Sequence, residues 1–295
     1  MGFTKEGALG IIEQLRGGAK GRLRYEQIYL SIGIIIKASA RQGVYQPYRM
    51  QNELPIVRVR PLEKPGEWFQ SIEDLGPLPL HKAIRYARCH RPGRSLGYCS
   101  LYLDTALAEV KAELGQQYAI STFTMPTGTM MLSVGELDYF RRTGRTYLGA
   151  AVEQSAKIYE EVLDRKDWTL IALFDAFLAD EFIKPAETQA DYKVTSAMAE
   201  VLFHGGIPFP KPIDAIIYPS VAFREGTNLA IRSEFFRAQM KLVEAETKIV
   251  EVTDVYGYGI YDYKVLVKLR SVSEDGSLQW DEGEQEARQD IGVIA

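Results

Sequence analysis

Period-two and helical patterns alternate along this chain in blocks, and the order of those blocks most constrains its fold. From Pro55 the segment IVRVRP alternates as a strand, with Ile56, Arg58 and Arg60 on one face and Val57 and Val59 on the other. Residues 119–125 and 129–134 alternate again on either side of Pro126, Thr127 and Gly128, which predicts a hairpin. Helical spacing then takes over in 147–163, 169–182 and 192–203. After the Gly/Pro-rich break GGIPFPKP, short strands are predicted at 213–218, 228–231 and 248–252, the last pairing with 263–270 through a GYG turn. Strands at both ends of a helical middle predict an α+β fold rather than a doubly wound parallel sheet.

Residues 1–52 join a helical pattern (Leu9, Ile12, Leu15) to a basic turn, GGAKGRLR, and an apolar run at 28–36, and read as an N-terminal extension to a domain over 53–270. The remainder, 271–295, sets Glu274, Asp275, Asp281, Glu282, Glu284, Glu286 and Asp290 against Arg288 and reads as a mobile acidic tail. A formal net charge of −4 with no dense Lys/Arg block argues against a nucleic-acid partner. Two cysteines and three histidines give neither a disulfide framework nor an evident metal site. The apolar run is interrupted by Ser31 and Gly33 and is far shorter than the roughly 20 residues that span a bilayer. With no signal-peptide pattern either, the expectation is a cytoplasmic protein without membrane contact.

Chemistry concentrates in 88–109, RCHRPGRSLGYCSLYLDTALAE, where a basic loop runs into a short aromatic strand and then a helix start. Asp104 or Thr105 is the expected helix cap. Leu107, Val110 and Leu114 fall on one face of that helix, and Glu109 and Glu113 on another. Tyr98, Ser100 and Tyr102 alternate onto one face of the strand. Each has an ordinary structural explanation: solvated glutamates, a core tyrosine, loop arginines at the surface. Arg58 and Arg60 likewise suit a solvated strand edge, with ligand contact by Arg58 as the alternative. A guanidinium beside Pro92 and Gly93 also suits a phosphate, which its planar fork grips in bidentate fashion. Gly93-Arg94-Ser95-Leu96-Gly97 matches a nucleophile elbow in letters only, since the required strand-to-helix context is reversed.

Taken together, Arg88, Pro92, Gly93, Tyr98, Ser100, Ala106, Leu107 and Glu109 resemble the RES-domain family, in which an arginine is followed by P-G, a Y-x-S-like strand and a helix with A-L-x-E. The intervals of ten and eleven residues between Arg88, Tyr98 and Glu109 fix the register, because ten residues before Tyr102 lies Pro92. A second segment, DAIIYPSVAFREGTNLAI, resembles the family's Y-P-S-V strand; it supplies Ser220 as the family serine and Asn228 as its support, with Tyr192 on the preceding helix. The similarity runs over 56–231. His90 stands where many members have asparagine.

The resemblance implies an ADP-ribosyltransferase-like split β-sheet core with flanking helices that binds NAD and cleaves its nicotinamide bond, as a glycohydrolase or phosphorylase and often as a toxin held by an antitoxin or regulatory protein. It implies Arg88, Tyr98, Glu109 and Ser220 as catalytic residues and Arg58, Ser100, Tyr192 and Asn228 as substrate-binding ones. Glu109 would stabilise the oxocarbenium ion. Arg88 would hold a phosphate, Tyr98 would line the pocket, and Ser220 would either bond the ribose or orient Glu109. NAD is then substrate, with inorganic phosphate as a candidate second substrate, and neither metal nor cofactor is implied. Protein ADP-ribosylation, a silent nucleotide-binding module and homo-oligomerisation stay open.

Overall fold

The computed structural model describes residues 4–16, 22–41, 47–146, 159–166, 168–207, 209, 211–223, 226–281 and 287–288. In chain order its elements are α1 (Lys5–Arg16), α2 (Tyr25–Arg41), β1 (Tyr48–Arg49), β2 (Leu54–Pro61), α3 (Ile72–Leu75), β3 (Leu96–Ser100), α4 (Leu103–Glu109), β4 (Gln117–Met125), β5 (Met130–Ser133), α5 (Glu136–Thr143), α6 (Trp168–Ile183), α7 (Tyr192–His204), β6 (Ala215–Pro219), β7 (Thr227–Arg232), α8 (Ser233–Gln239), β8 (Lys241–Leu242), β9 (Lys248–Gly257), β10 (Ile260–Val272), β11 (Leu278–Asp281) and β12 (Ala287–Arg288). The fold is α+β. Its residues divide between two compact units that interleave along the chain, one of Met1–Asn52, Pro79–Leu96 and Gly128–Pro219, the other of Glu53–Leu78, Gly97–Thr127 and Ser220–Ala295.

The first unit is built on helix packing. The apolar run at 28–36 lies within α2 and buries Ile28, Ile32, Ile35 and Ile36 at helical spacing against α7, which offers Val194, Ala197, Met198 and Val201. α6 is apolar around most of its circumference and buries Phe174, Phe177 and Phe182. In this unit β5 pairs antiparallel with β1 and parallel with β6. Residues 147–158 of the first expected helix lie outside the described residues.

The second unit carries the strand order β7-β3-β2-β4-β9-β10-β11. α4 covers one face of it, where Ala106 and Leu107 pack with Val59, Tyr118, Ile120, Val250, Val252, Tyr263 and Val265. Each fully buried aliphatic side chain there contributes about 1.5–3 kcal/mol. The GYG turn joins β9 to β10 as expected, with Tyr258 at φ 56° and Gly259 at φ 79°.

Several expectations change. The strands expected as a hairpin, β4 and β5, form, but β4 pairs with β2, β8 and β9 while β5 pairs with β1 and β6. The turn residues between them therefore end one strand and start another without pairing the two. β2 is no solvated edge, because β3 and β4 flank it and Arg58 is only 8% exposed. The start of the expected mobile tail is ordered through Asp281: β10 continues to Val272 and β11 returns antiparallel, with Leu278 buried and Trp280 Nε1 donating to the Phe69 carbonyl at 2.8 Å. The rest, apart from Ala287–Arg288, which pair with β10, lies outside the described residues. Among the described residues no helix is long and apolar enough to cross a membrane.

Candidate active site

In the second unit the carboxylate of Glu109 stands at the end of α4. The helix begins one residue after Tyr102, which caps it without a side-chain bond, so Asp104 and Thr105 lie inside the first turn instead of capping it. It stops at Glu109 because Lys111 turns to φ 51°, a left-handed conformation that cannot continue an α-helix. Leu114 consequently leaves the packed face and is 67% exposed. Glu113 is also beyond the helix, where its backbone N–H donates to Tyr118 Oη at 2.9 Å.

Two side chains converge on one oxygen of Glu109. Ser220 Oγ and Asn228 Nδ2 each donate to Oε1 at 2.6 Å. Ser220 is held in turn by the backbone N–H groups of Ala222 and Phe223, which donate to its Oγ at 3.2 and 3.1 Å. Asn228 is held by Ser100, whose Oγ donates to Asn228 Oδ1 at 2.7 Å. With Asn228 only 4% exposed, both ends of its amide are engaged in a dry environment that fixes its orientation. Hydrogen bonds to a carboxylate contribute about 1.5–3 kcal/mol each. Glu109 itself is exposed, and its Oε2 accepts no hydrogen bond among the described residues. One oxygen is thus clamped by protein and the other faces outward.

The strands account for this convergence. Ser100 ends β3 opposite Val57, and Thr227 of β7 accepts from the Leu101 N–H at 3.1 Å, which sets Asn228 beside Ser100. Ser220 follows β6, and its own N–H donates to the Gly226 carbonyl at 2.8 Å. A Cβ at Gly226 would press on Thr105 Oγ1, a fully buried hydroxyl with no hydrogen-bond partner among the described residues. Glycine there lets the loop carrying Ser220 approach α4 closely.

Tyr98 precedes Ser100 by two residues on β3 and is half-buried; its carbonyl accepts from Arg58 at 2.6 Å. Arg58 alternates with Val57 and Val59, which pack on the α4 side, so it points to the other face of the sheet. Burial there lowers its pKa to about 10, and Nε has no hydrogen-bond partner among the described residues. The structure does not bring Arg58 to Glu109 through any hydrogen bond.

In the first unit, the three loop arginines separate clearly. Arg91 forms a bidentate pair with Glu200, at 2.7 and 3.1 Å, and Tyr25 Oη donates to the same carboxylate at 2.7 Å. Burial pushes the Glu200 carboxyl up, but the Arg91 and Tyr25 bonds outweigh it and hold the group below its ordinary range. Arg94 is exposed. Arg88 donates to the Lys184 carbonyl at 2.9 Å and lies 5.3 Å from the centroid of the Tyr192 ring, with its other donors unengaged among the described residues. His90 is buried, which lowers its pKa and favours the neutral ring. Arg88 and Tyr192 are thus brought together in one unit, and Ser100, Glu109, Ser220 and Asn228 in the other. Sequence reading overlooked Phe223 and Gly226, whose parts depend on a loop conformation that no local pattern encodes. Among the described residues no group of three potential metal ligands occurs.

A clamped glutamate in an α+β fold defines a class of site suited to stabilising a positive charge on a bound ligand. The family model of the RES domain matches residues 70–250, more than half the chain, and the chain belongs to the RES-domain family. The match begins later than the similarity visible in the sequence and runs further, into β9. The α+β structure is consistent with an ADP-ribosyltransferase-like fold, and the family is broadly linked to NAD-processing enzymes and to toxins or effectors. Neither the curated proteins nor the solved structures contain a match.

Proposed function

We propose that the chain consumes NAD by cleaving the bond between nicotinamide and ribose, as a glycohydrolase or phosphorylase acting as a toxin or defence effector. The observation that carries this reading is the Glu109 carboxylate, with Oε1 fixed by Ser220 and Asn228 and Oε2 left to a ligand. Nicotinamide departs with the bonding electron pair and becomes neutral, so no general acid is needed. Positive charge then develops on the ribose, and a preorganised carboxylate stabilises it without reorganising. Oε2 also receives the proton released when water adds to that cation; with phosphate as acceptor, no such transfer is required.

Ser220 and Asn228 act through Glu109 in this scheme, and Ser100 acts through Asn228. Tyr98 lines the ribose or nicotinamide side. Arg88 takes a phosphate of the dinucleotide or inorganic phosphate, with Tyr192 supporting its guanidinium. Arg58 contributes as a buried positive charge, a supporting role more distant than direct contact. NAD is substrate, and no metal or cofactor enters. The acceptor is tested by following the ADP-ribose moiety by mass spectrometry: free ADP-ribose means water, ADP-ribose 1″-phosphate means phosphate, and a mass increment on protein means transfer. Intact NAD after prolonged incubation would overturn the reading and leave a nucleotide-binding module. Toxicity on expression that Glu109→Gln relieves would indicate control by an antitoxin or regulatory protein.

A further inference from the structure

In the second unit β9 and β10 outrun their neighbours in the sheet. β9 parts from β4 after Val252, whose N–H donates to the Gln116 carbonyl at 3.1 Å and whose carbonyl accepts from the Gly115 N–H at 2.8 Å. β10 meets its outer neighbours, β12 and β11, only from Tyr263 onwards. Among the described residues, 253–262 is therefore a two-stranded arm with no strand on either side. It also follows residue 250, where the match to the RES domain ends. A two-stranded ribbon by itself is marginally stable in water. This one is anchored twice, at its base by Tyr261, which packs against the core under α4, and at its turn by the Phe223 ring, which lies against Gly259.

One face of the arm is both apolar and acidic. Asp254 and Asp262 are directly paired, and Tyr256 Oη donates to Asp262 Oδ2 at 2.8 Å, which puts all three on that face. Ile260 joins them by alternation with Asp262. Tyr256 and Ile260 are exposed, and Tyr258 in the turn is 94% exposed at φ 56°. A left-handed backbone disfavours a bulky side chain, and a ring so exposed gains nothing by packing. Like charges directly opposed also weaken a strand pair. The cation next along this face, Lys264, is taken by its own opposed neighbour Glu251 at 2.8 Å. β12 sets Arg288 opposite Tyr263 rather than Asp262. The two aspartates are thus left uncompensated among the described residues, and the carboxylate of Asp254 accepts no hydrogen bond there.

We propose that this arm is the docking surface for a partner protein that presents a basic segment in which cationic and apolar side chains alternate. The cationic side chains sit at Asp254 and Asp262 and over the Tyr256 ring, and the apolar ones pack on Tyr258 and Ile260. Exposed apolar clusters mark interaction sites, and tyrosine is among the residues that dominate their binding energy. Charge selects the occupant: two uncompensated carboxylates repel anionic headgroups and nucleic-acid phosphates and draw in a cationic chain. The edge of β9 beyond Val252 has no strand neighbour among the described residues and is open to pairing with such a segment. The surface stands independently of NAD cleavage, since none of Asp254, Tyr256, Tyr258, Ile260 and Asp262 hydrogen-bonds to the Glu109 clamp.

The test is isothermal titration of the full chain at low ionic strength with a capped synthetic octapeptide in which arginine alternates with valine. Two controls replace its arginines by glutamate or its valines by serine. The expected result is one saturable site per chain for the arginine–valine peptide and at least tenfold weaker binding of both controls. Binding should also weaken at least tenfold in Tyr258→Ser and in Asp254→Asn combined with Asp262→Asn. Tyr258→Ser, a change at an almost fully exposed position, keeps the test decisive should the double variant fail to fold. Glu109→Gln should bind the peptide as the parent chain does, which separates the fate of this surface from that of NAD turnover. Absence of saturable binding, equal binding of either control, or binding unchanged in the folded variants would overturn the proposal. Self-association of the parent that Tyr258→Ser abolishes would also overturn it, by making the arm a contact between copies, as would Tyr258-dependent sedimentation with phosphatidylglycerol vesicles, by making it a lipid contact.

Discussion

Replacing Asn228 by Asp probes the clamp most sharply. The side chain keeps its shape and still accepts from Ser100, but the donor 2.6 Å from Glu109 Oε1 becomes a carboxylate oxygen. A bond to a charged acceptor is lost, at about 1.5–3 kcal/mol, and a like-charge contact replaces it. Exposure of Glu109 screens part of the repulsion, so the lower end of that range applies to the lost bond, about 1.5 kcal/mol. The transition midpoint should fall by about 3–6 °C at neutral pH. The loss should shrink in acid, because the buried carboxyl introduced by the substitution lies beside another carboxylate and takes up a proton more readily than it does in the unfolded chain. Adding Glu109→Gln should recover most of the stability, since the Gln amide now donates to the introduced carboxylate, while leaving nicotinamide release abolished. Thermal melts of the four proteins across pH 5–8 form the double-mutant cycle. A melt of Asn228→Asp equal to the parent at neutral pH, or no recovery in the double variant, would refute the clamp.

Other perturbations read different parts of the molecule. Asp175 accepts from the Gly135 and Asp138 N–H groups at 3.0 and 2.8 Å, and its pKa is raised to about 7, first by burial and then by Asp138 and Glu136. A carboxyl raised in the folded state is most favourable in acid, so its contribution is fully present below about pH 4 and is lost as pH rises to about 7, on the order of 4 kcal/mol. Asp175→Asn should flatten the slope of melting temperature against pH over that window, and an unchanged slope would contradict the assignment. Gly259→Ala puts a Cβ into the Phe223 ring; because the Phe223 N–H holds Ser220, nicotinamide release should fall about tenfold or more, whereas parental kinetics would show the hairpin and the Ser220 loop to be uncoupled. Arg91→Ala should lower stability by about 1 kcal/mol, given its partial exposure, and leave turnover near normal, while Arg88→Ala should reduce turnover without that loss; the reverse pattern in melts and kinetics would exchange their roles.

Alternation made β2, β4, β6, β7, β9 and β10 legible in the sequence, and helical spacing did the same for α6 and α7. Partner choice was not legible: β4 and β5 are neighbours in sequence, yet their edges are taken by strands distant in the chain. Helical spacing also suggested that α4 reached Leu114, because a left-handed turn at Lys111 leaves no trace in hydrophobic periodicity. Arg58 looked like an edge residue because charge predicts solvent, whereas a central strand can bury an arginine. Ser220 and Asn228 lie 111 and 119 residues from Glu109, so only the ordered family motifs could link them to it. The register of the family motif already selected Glu109 over Glu113, whereas the donation of Ser220 and Asn228 to a single oxygen is a matter of three-dimensional geometry.

The most direct measurement is nicotinamide release from NAD by the purified full chain and by Glu109→Gln, with folding of both checked by circular dichroism. The account predicts release by the parent and a fall of at least about a hundredfold in the variant, because the neutral amide cannot stabilise the ribosyl cation. Equal rates in the two folded proteins would remove Glu109 from the chemistry and contradict the account.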